Sequence, residues 1–212
     1  MIIELFGLSK TGKTIFKSNL KKLNYRTLDP KELSNNKRLL FFLKYLFKEP
    51  RNTIKLFYKL NTNNIYKNIK VRRMRNTYLI TTLAKYQYLK GKTGKIFADE
   101  MALQSIFMIL QKKSDKEEIN KVINLLPKSD FIFLFERSKE QRHKIYEKPH
   151  PTFSNPTMYP GGWISIDFAK KWMESMEYNY EIIKKILNEN YRENYSEFTN
   201  IEIDLPKIYS TQ

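Results

Sequence analysis

Short apolar runs alternate with helix-like stretches at the start of the chain. The run Ile2 to Phe6, ended by Gly7, predicts a buried strand. A helix is expected from about Gly12 through Leu20, and Tyr25 to Leu28 predicts a second, weaker strand. Strands that alternate with helices indicate an α/β protein with a mostly parallel sheet.

A long helical stretch follows the second predicted strand. From Leu33 to Lys90 the apolar residues recur at helical spacing, with breaks near Glu49-Pro50 and near residues 61–64. A third strand begins at Lys95 and ends at Ala98, just before two acidic residues. We therefore predict a helical insertion, residues 33–90, between the second and third strands of one sheet.

The second half of the chain continues the same alternation. Phe131 to Phe135 is continuous and apolar, which suits a central strand of a parallel sheet. A long helix with an apolar stripe is expected after Asp167, which we predict as its N-cap. The other predicted elements are helices at Met101–Leu110, Asp115–Leu126 and Ser138–Glu147, an irregular loop at Pro149–Gly162 and a last strand at Asn200–Asp204.

Length and composition narrow the class of protein. The chain has 212 residues, 41% of them hydrophobic, which fits a single domain over residues 1–212 with one core and an inserted subdomain. No cysteine is present, so disulfides and thiolate metal sites are excluded and a cytoplasmic location is expected. No segment reaches the roughly 20 apolar residues that a membrane span needs, and we predict no membrane partner.

The positive charge is unevenly distributed. The formal net charge is +17, with +19 in residues 1–98 and −2 in residues 99–212. A basic half of this kind favours a phosphate-rich or polyanionic partner, although scattered lysines are also an ordinary solvated surface. The apolar run Leu39 to Phe47 lies in this half, and the sequence leaves open whether it is core or the face of a homodimer.

A phosphate-binding loop follows the first predicted strand. The pattern G-x-x-x-x-G-K-[ST] is complete from Gly7 to Thr14, between a strand and a helix. Glycines let backbone N–H groups approach a phosphate closely, and the following helix points its positive end at the anion. We expect Lys13 at the β- and γ-phosphate oxygens of ATP and Thr14 on Mg²⁺. The predicted nucleotide-binding set is Gly7, Ser9, Lys10, Thr11, Gly12, Lys13, Thr14 and Ile15.

Two carboxylates end the third predicted strand. A P-loop needs an acid on a neighbouring strand, and Asp99 and Glu100 supply two. We predict that Asp99 is directed towards the metal and that Glu100 is the base which orients or deprotonates the attacking oxygen, although the order can be reversed. A structural alternative is that Asp99 only caps the helix that follows it.

A basic segment after the fourth predicted strand suggests a lid over residues 137–162. Phosphoryl transfer spreads negative charge over the equatorial oxygens, and an arginine on a closing lid stabilises that charge. Arg137 and Arg142 are the candidates, against the alternative of an ordinary solvated helix with Glu and Lys pairs.

The P-loop, the acid pair and the basic lid, in this order, resemble the P-loop nucleoside and nucleotide kinases, most nearly the thymidylate-kinase-like group. The resemblance implies a three-layer P-loop fold with about five mostly parallel strands flanked by helices, with an acceptor site in the helical insertion. It matches Lys13, Thr14, Asp99, Arg137 and Arg142 to functional positions of the family. The group has arginine where this chain has Glu100, and its acceptor arginine has no unambiguous match. The acceptor-binding candidates are Asp29, Arg51, Arg72, Arg73 and Arg75.

Three functions follow from these patterns. The first is a Mg²⁺-dependent kinase that transfers phosphate from ATP to a nucleoside, a nucleotide or another small phosphate or hydroxyl acceptor. The second is a nucleic-acid-directed protein, either a polynucleotide kinase or a DNA- or RNA-stimulated ATPase, with basic residues on phosphates and tyrosines on bases. The third is a non-catalytic, nucleotide-dependent interaction protein. The tyrosines near the basic run are Tyr66, Tyr78, Tyr86 and Tyr88.

Overall fold

The structure is a computed structural model that describes residues 1–8, 11–28, 32–63, 69–136, 138, 166–191 and 194–198, with the backbone alone for 166–170, 197 and 198. The described part contains four strands, β1 (Ile2–Gly7), β2 (Ile96–Asp99), β3 (Phe131–Phe135) and β4 (Tyr195–Phe198). Its helices are α1 (Lys13–Lys22), α2 (Asn35–Lys48), α3 (Pro50–Thr62), α4 (Ile69–Lys90), α5 (Ile106–Ile109), α6 (Lys116–Leu125) and α7 (Ile166–Asn190), with a 3₁₀ turn at Leu103–Ser105.

The four strands form one parallel sheet in the order β2-β1-β3-β4. Strand β1 lies between β2 and β3, with Leu5 opposite Asp99 and Gly7 opposite Phe135. Because parallel strands end at the same edge, the turns after β1, β2 and β3 lie side by side there. This edge carries the candidate functional site.

Helices cover the two faces of the sheet. Helix α1 covers one face with Phe16 and Leu20, which pack with alternate residues of β1, β2 and β3 in an aromatic cluster. The strand residues that alternate with these face the other side of the sheet, where a larger core includes side chains from α3 through α7. Period-two alternation in the strands therefore sorts the side chains into two cores, and the predicted α/β fold with a parallel sheet between helical layers is confirmed.

The predicted helical insertion consists of α2, α3 and α4. The break at Glu49-Pro50 is confirmed, because Glu49 alone joins α2 to α3 and Pro50 occupies the first position of α3, where its missing N–H costs no hydrogen bond. Helix α2 packs along α4 through the aromatic pairs Phe41–Tyr88 and Tyr45–Tyr86. Most of the excess positive charge of residues 1–98 therefore lies in this helical insertion.

Some elements differ from the predictions. Residues 25–28 form a single parallel bridge, Thr27 to Phe97, instead of a full strand at the β2 edge. Residues 101–110 form a 3₁₀ turn and one short helix, α5, because side chains bind the carbonyl groups that a longer helix would use. Trp172 Nε1 donates to Phe107 O (3.0 Å), and Arg75 Nε donates to Met108 O (2.7 Å). The predicted elements at 138–147, 149–162 and 200–204 lie outside the described residues, and β4 was not predicted.

None of the helices in the described part of the chain is long and apolar enough to cross a membrane.

Candidate active site

Two glycines give the loop after β1 its shape. A Cβ atom at Gly7 would lie 2.6 Å from the carbonyl oxygen of Phe135, so only glycine fits between β1 and β3 at this point. Gly12, which precedes α1, has φ 101°, a left-handed conformation that glycine adopts without strain. Thr11 ties the loop together, because its hydroxyl donates to Leu8 O at 2.9 Å. The described residues thus place a buried strand before this loop and a helix N-terminus directly after it, and helix N-termini attract anions.

Lys13 folds its side chain back over this loop. Its Nζ donates to Gly7 O at 2.5 Å and to Leu8 O at 2.8 Å. Burial lowers the pKa of Lys13 to about 8, and the carboxylates of Asp99 and Glu100 act in the opposite direction. The predicted phosphate lysine and the predicted acid pair therefore influence one another electrostatically. Thr14 and Ile15, in the first turn of α1, are exposed beside them.

Asp99 lies on the α1 side of the sheet because it alternates in phase with Phe97 of the α1 cluster. Its Oδ1 accepts from Lys17 Nζ at 2.6 Å, and both side chains are largely shielded from solvent. Lys17 is one helical turn after Lys13, so one face of α1 directs two cations to this edge of the sheet. A metal ion at Asp99 would compete with Lys17 for Oδ1 or bind the second carboxylate oxygen.

Glu100 has a different environment from Asp99. It is exposed, and its backbone has φ 52°, which is uncommon for a residue with a side chain. A left-handed residue directly after a strand turns the chain sharply away from the sheet. The strain fits a residue held for function, and it separates the directions of two adjacent carboxylates.

A second group of cations approaches the acid pair from the helical insertion. Burial lowers the pKa of Lys85 on α4, the Glu100 and Asp99 carboxylates raise it, and the Lys17 and Arg38 cations lower it further. Lys85 is therefore near both acids and near the cations of Lys17 and Arg38. Lys13, Lys17 and Lys85 therefore interact with one or both carboxylates, and three cations against two anions leave a positive charge that suits a polyphosphate.

Buried polar atoms without a partner in the described part of the chain lie on the elements around this cluster. They include Tyr78 Oη on α4, Arg38 Nε on α2 and Gln104 Oε1 in the 3₁₀ turn after β2. Burial raises the pKa of Tyr78 well above its usual value, and the nearby carboxylates of Glu100, Glu4 and Asp99 add to the effect. Buried polar groups are normally hydrogen-bonded, so two donors and one acceptor in this state suit a polar ligand.

Glu4 in β1 supports the turn that carries the acid pair. It is 1% exposed, and its carboxylate accepts from Leu103 N (2.8 Å) and Ser129 Oγ (2.9 Å). The backbone N–H of Gln104 also bonds to it. Burial raises the pKa of Glu4 to about 7, and these hydrogen bonds and the Lys85 cation lower it only in part. One buried carboxyl group therefore joins β1 to the segments after β2 and before β3.

The remaining predicted site residues have separate positions. Arg51 and Arg73 are exposed, and Arg72 Nε donates to Asn61 Oδ1 at 2.8 Å. Arg75 is 1% exposed and donates to the carbonyls of Met108 and Ile109, which gives it a structural role at the end of α5. The acceptor-binding role of these arginines stays a prediction without a contact to support it. Ser9, Lys10, Asp29, Arg137 and Arg142 lie outside the described residues.

Sequence reasoning missed several residues of the cluster. Lys17 could have been predicted from the sequence, because it lies four residues after Lys13 and so on the same face of α1. Glu4 could also have been predicted, because it is a single acid inside an apolar strand. Arg38 and Lys85 had no signal in the sequence, because only the packing of α2 and α4 brings them near one another. Gln104 is one polar residue four positions after Glu100 with no pattern around it.

Comparisons with known proteins give structural likenesses only. No protein-family model matches the chain, and no curated protein has a significantly similar sequence. Deoxyadenosine kinase from M. mycoides with bound dATP aligns at 18% identity over 98% of this chain and 94% of that chain, with TM-score 0.48. Thymidylate kinase from Candida albicans aligns at 12% identity over 93% and 82%, with TM-score 0.45. Both belong to the class that the sequence resemblance names, and at these scores the likeness adds no inference about substrate or mechanism.

The raised pKa of Glu4 predicts a specific dependence of stability on pH. The folded chain holds this proton up to about pH 7, whereas the unfolded chain releases it near 4.5, so folding loses stability as the pH rises between these values. Glu4→Gln has no proton to lose. We expect the free energy of unfolding of the wild type, relative to Glu4→Gln, to fall by about 2 kcal/mol between pH 5 and pH 8 in urea titrations.

The matched control is Glu117→Gln, because Glu117 is an exposed carboxylate on α6. Its difference from the wild type should change little over the same pH range. A wild-type to Glu4→Gln difference that is the same at pH 5 and pH 8 contradicts the raised pKa.

Proposed function

We propose that this chain is a Mg²⁺-dependent phosphotransferase that moves the γ-phosphate of ATP to a nucleoside, a nucleotide or a related small acceptor. The observation that carries the proposal is the juxtaposition around Asp99 and Glu100. Lys17 of α1 contacts Asp99 at 2.6 Å, Lys13 one helical turn earlier lies over the carbonyls of Gly7 and Leu8, and Lys85 of the helical insertion is near both acids. A nucleotide site and a second polar site thus share one pair of carboxylates.

The residues present fit a nucleoside triphosphate and a divalent cation. The loop from Gly7 to Gly12 has no room for a Cβ at its start, and Lys13 lies across it. We assign the triphosphate to this loop and to the N-terminus of α1. Thr14 and Asp99 would supply oxygen ligands to Mg²⁺, which prefers carboxylate and hydroxyl oxygens and would neutralise phosphate charge.

In this proposal each basic side chain neutralises part of the negative charge of the phosphates. Lys13 moves from the carbonyls of Gly7 and Leu8 to the β- and γ-phosphate oxygens. Lys17 would hold one oxygen of Asp99 and add a positive charge beside the phosphates. Since these groups are held by the fold before the reaction, the stabilisation of charge in the transition state needs little reorganisation.

Glu100 is the group we assign to the acceptor. Its exposed carboxylate accepts the proton of the attacking hydroxyl, or orients that oxygen, while Asp99 remains with the metal. Tyr78, Arg38 and Gln104 then bind the acceptor itself, through two donors and one acceptor atom that have no partner in the described residues. This polar set favours a hydroxylated or base-like acceptor over water, and so favours a kinase over an ATPase.

Transfer to different acceptors tests the proposal directly. The protein is incubated with γ-labelled ATP, Mg²⁺ and, separately, nucleosides, nucleoside monophosphates and 5′-hydroxyl oligonucleotides. Label on a nucleoside or a monophosphate is the expected result. Label on the oligonucleotide alone, or release of labelled phosphate that rises with added DNA and labels no acceptor, would favour the nucleic-acid-directed alternative.

Replacing Lys13 tests the nucleotide half of the site. Lys13→Ala removes a cation that meets the phosphates in both the ground state and the transition state, and we expect transfer to fall at least about 100-fold. The control is Lys22→Ala, an exposed lysine at the end of the same helix, which should keep the wild-type rate. Normal transfer by Lys13→Ala would refute the assignment of the phosphate loop.

Replacing Glu100 tests the assignment of the base. Glu100→Gln keeps size and polarity but accepts no proton, so we expect unchanged affinity for ATP and a loss of about 10²- to 10⁴-fold in kcat. Binding is measured by calorimetry and transfer by the labelled assay, with Glu117→Gln as the control. An unchanged kcat moves the base to another residue, with Asp99 the first to examine.

Removing the Tyr78 hydroxyl tests the acceptor half. A buried hydroxyl without a partner contributes nothing to the stability of the free protein, so Tyr78→Phe should unfold at the same or a slightly higher denaturant concentration. We expect the KM for the acceptor to rise about tenfold and the KM for ATP to stay constant. An unchanged KM for the acceptor would place Tyr78 outside the acceptor site.

A further inference from the structure

Helix α2 has a stripe of large apolar residues on its solvent side. Leu39 is 59% exposed, Leu40 50%, Leu43 38% and Phe47 81%. At 100° per residue these four positions fall within about 100° of one another around the helix axis, directly opposite the side that carries buried Tyr45. Single exposed apolar residues are ordinary, but a contiguous row of four indicates an interaction surface.

This outer stripe serves no packing function within the described residues. The inner side of α2 already packs on α4, with Tyr45 against Tyr86 and Phe41 against Tyr88. Phe42 of α2 packs against Phe57 of α3. The helix therefore has one apolar side for the core and a second apolar side for something outside this part of the fold.

Lysines border the stripe. Lys37, Lys44 and Lys48 follow one another along one flank of the stripe and are exposed. Helix α2 has no acidic residue, and residues 33–98 hold 16 lysines and arginines with Glu49 as their one acid. The surface therefore combines an apolar centre with a strongly positive border.

The next helix continues this character. Helix α3 begins one residue after α2 and is also free of acids. On the side opposite its buried residues it exposes Ile54 (65%) and Tyr58 (69%), with Arg51 beside them. Two consecutive helices thus expose apolar side chains among basic ones.

We propose that the outer side of α2, continued by the start of α3, docks on an anionic lipid surface. A convex helix with leucine and phenylalanine outward and lysine alongside inserts its apolar side chains at the acyl boundary while its cations meet the negative headgroups. Phe47 and the leucines would lie at that boundary, and Lys37, Lys44 and Lys48 at the headgroups. The prediction of no membrane partner rests on the lack of a spanning segment, and no helix in the described residues could span a bilayer. A helix that lies in the interface plane needs no such segment.

The charge and convex shape of this surface favour an anionic lipid over a second copy of the chain, a nucleic acid or an acidic protein. A second copy of the chain would bring two acid-free helices together, and like charges at an interface are unfavourable. A nucleic acid would meet the lysines but would leave three leucines against a phosphate backbone. An acidic protein would need a groove to receive the convex row of side chains, whereas a bilayer adapts to it. The inference is independent of the proposed phosphotransfer.

Vesicle sedimentation with the full chain tests the proposal. Vesicles of phosphatidylcholine alone are compared with vesicles that also contain phosphatidylserine, at low and high salt. We expect binding to the phosphatidylserine vesicles only, weakened by salt. The double variant Leu43→Gln/Phe47→Gln should bind at least tenfold more weakly, and Lys44→Glu/Lys48→Glu should lose the preference for anionic vesicles.

Two controls keep the outcome clear. Leu23→Gln changes a leucine that is 52% exposed after α1, away from the stripe, and should bind vesicles like the wild type. The thermal unfolding midpoints of all variants should match the wild type, because the replaced side chains lie outside the core. No binding to anionic vesicles, or equal binding by Leu43→Gln/Phe47→Gln, overturns the proposal. The proposal is also overturned if the wild type forms a dimer, or binds a DNA oligonucleotide, and Leu43→Gln/Phe47→Gln alone among the variants loses that association.

Discussion

Parallel pairing of β1 with β2 is the constraint on which the rest of the site depends. The register sets Leu5 opposite Asp99, so the loop that starts at Gly7 and the acids that end β2 emerge at one edge of the sheet. Strand β3 closes the other side of β1 so tightly that Gly7 admits no side chain. Alternation along β2 then directs Asp99 towards α1, where Lys17 meets it. The convergence of Lys13, Lys17 and the two carboxylates thus follows from strand register and helix periodicity.

Burial of charged groups in and below the site lowers the stability of the fold, and hydrogen bonds offset only part of this loss. Glu4 is buried in β1, and its pKa of about 7 reflects the unfavourable burial of its charge, which three hydrogen bonds offset only in part. Those bonds hold the turn after β2, and that turn positions Glu100 and Gln104. Lys13 and Lys85 have lowered pKa values for the same reason, burial of charge. The site of the free protein is therefore rich in partly desolvated cations and unpartnered polar atoms, a state that a bound polyphosphate and a polar acceptor would relieve.

Sequence reasoning reached the sheet, and it proposed the nucleotide half of the site, because local signals determine both. The P-loop pattern, the apolar strand before it and the acid pair after β2 are each readable within a few residues, and the breaks at residues 49–50 and 61–64 depend on local chemistry. The acceptor half depends on tertiary packing. Arg38, Tyr78 and Gln104 come from three elements, and no spacing along the chain relates them. Arg75 shows the converse, because a basic run suggests a surface site whereas the fold buries this one arginine against α5. The strand predicted at residues 25–28 is only a single bridge, between Thr27 and Phe97 of β2.

The central claim is that a nucleotide site and an acceptor site meet at Asp99 and Glu100. A bisubstrate analogue, adenosine joined to a second nucleoside by a chain of five phosphates, spans both sites at once and tests this claim most directly. A crystal structure of that complex should have the phosphates between Gly7 and Thr14 and the second nucleoside against Arg38, Tyr78 and Gln104. Calorimetry should give an affinity at least about 100-fold above that for ATP, since the second site then binds without a separate loss of freedom. An affinity equal to that for ATP, with the second nucleoside away from these side chains, would contradict the account.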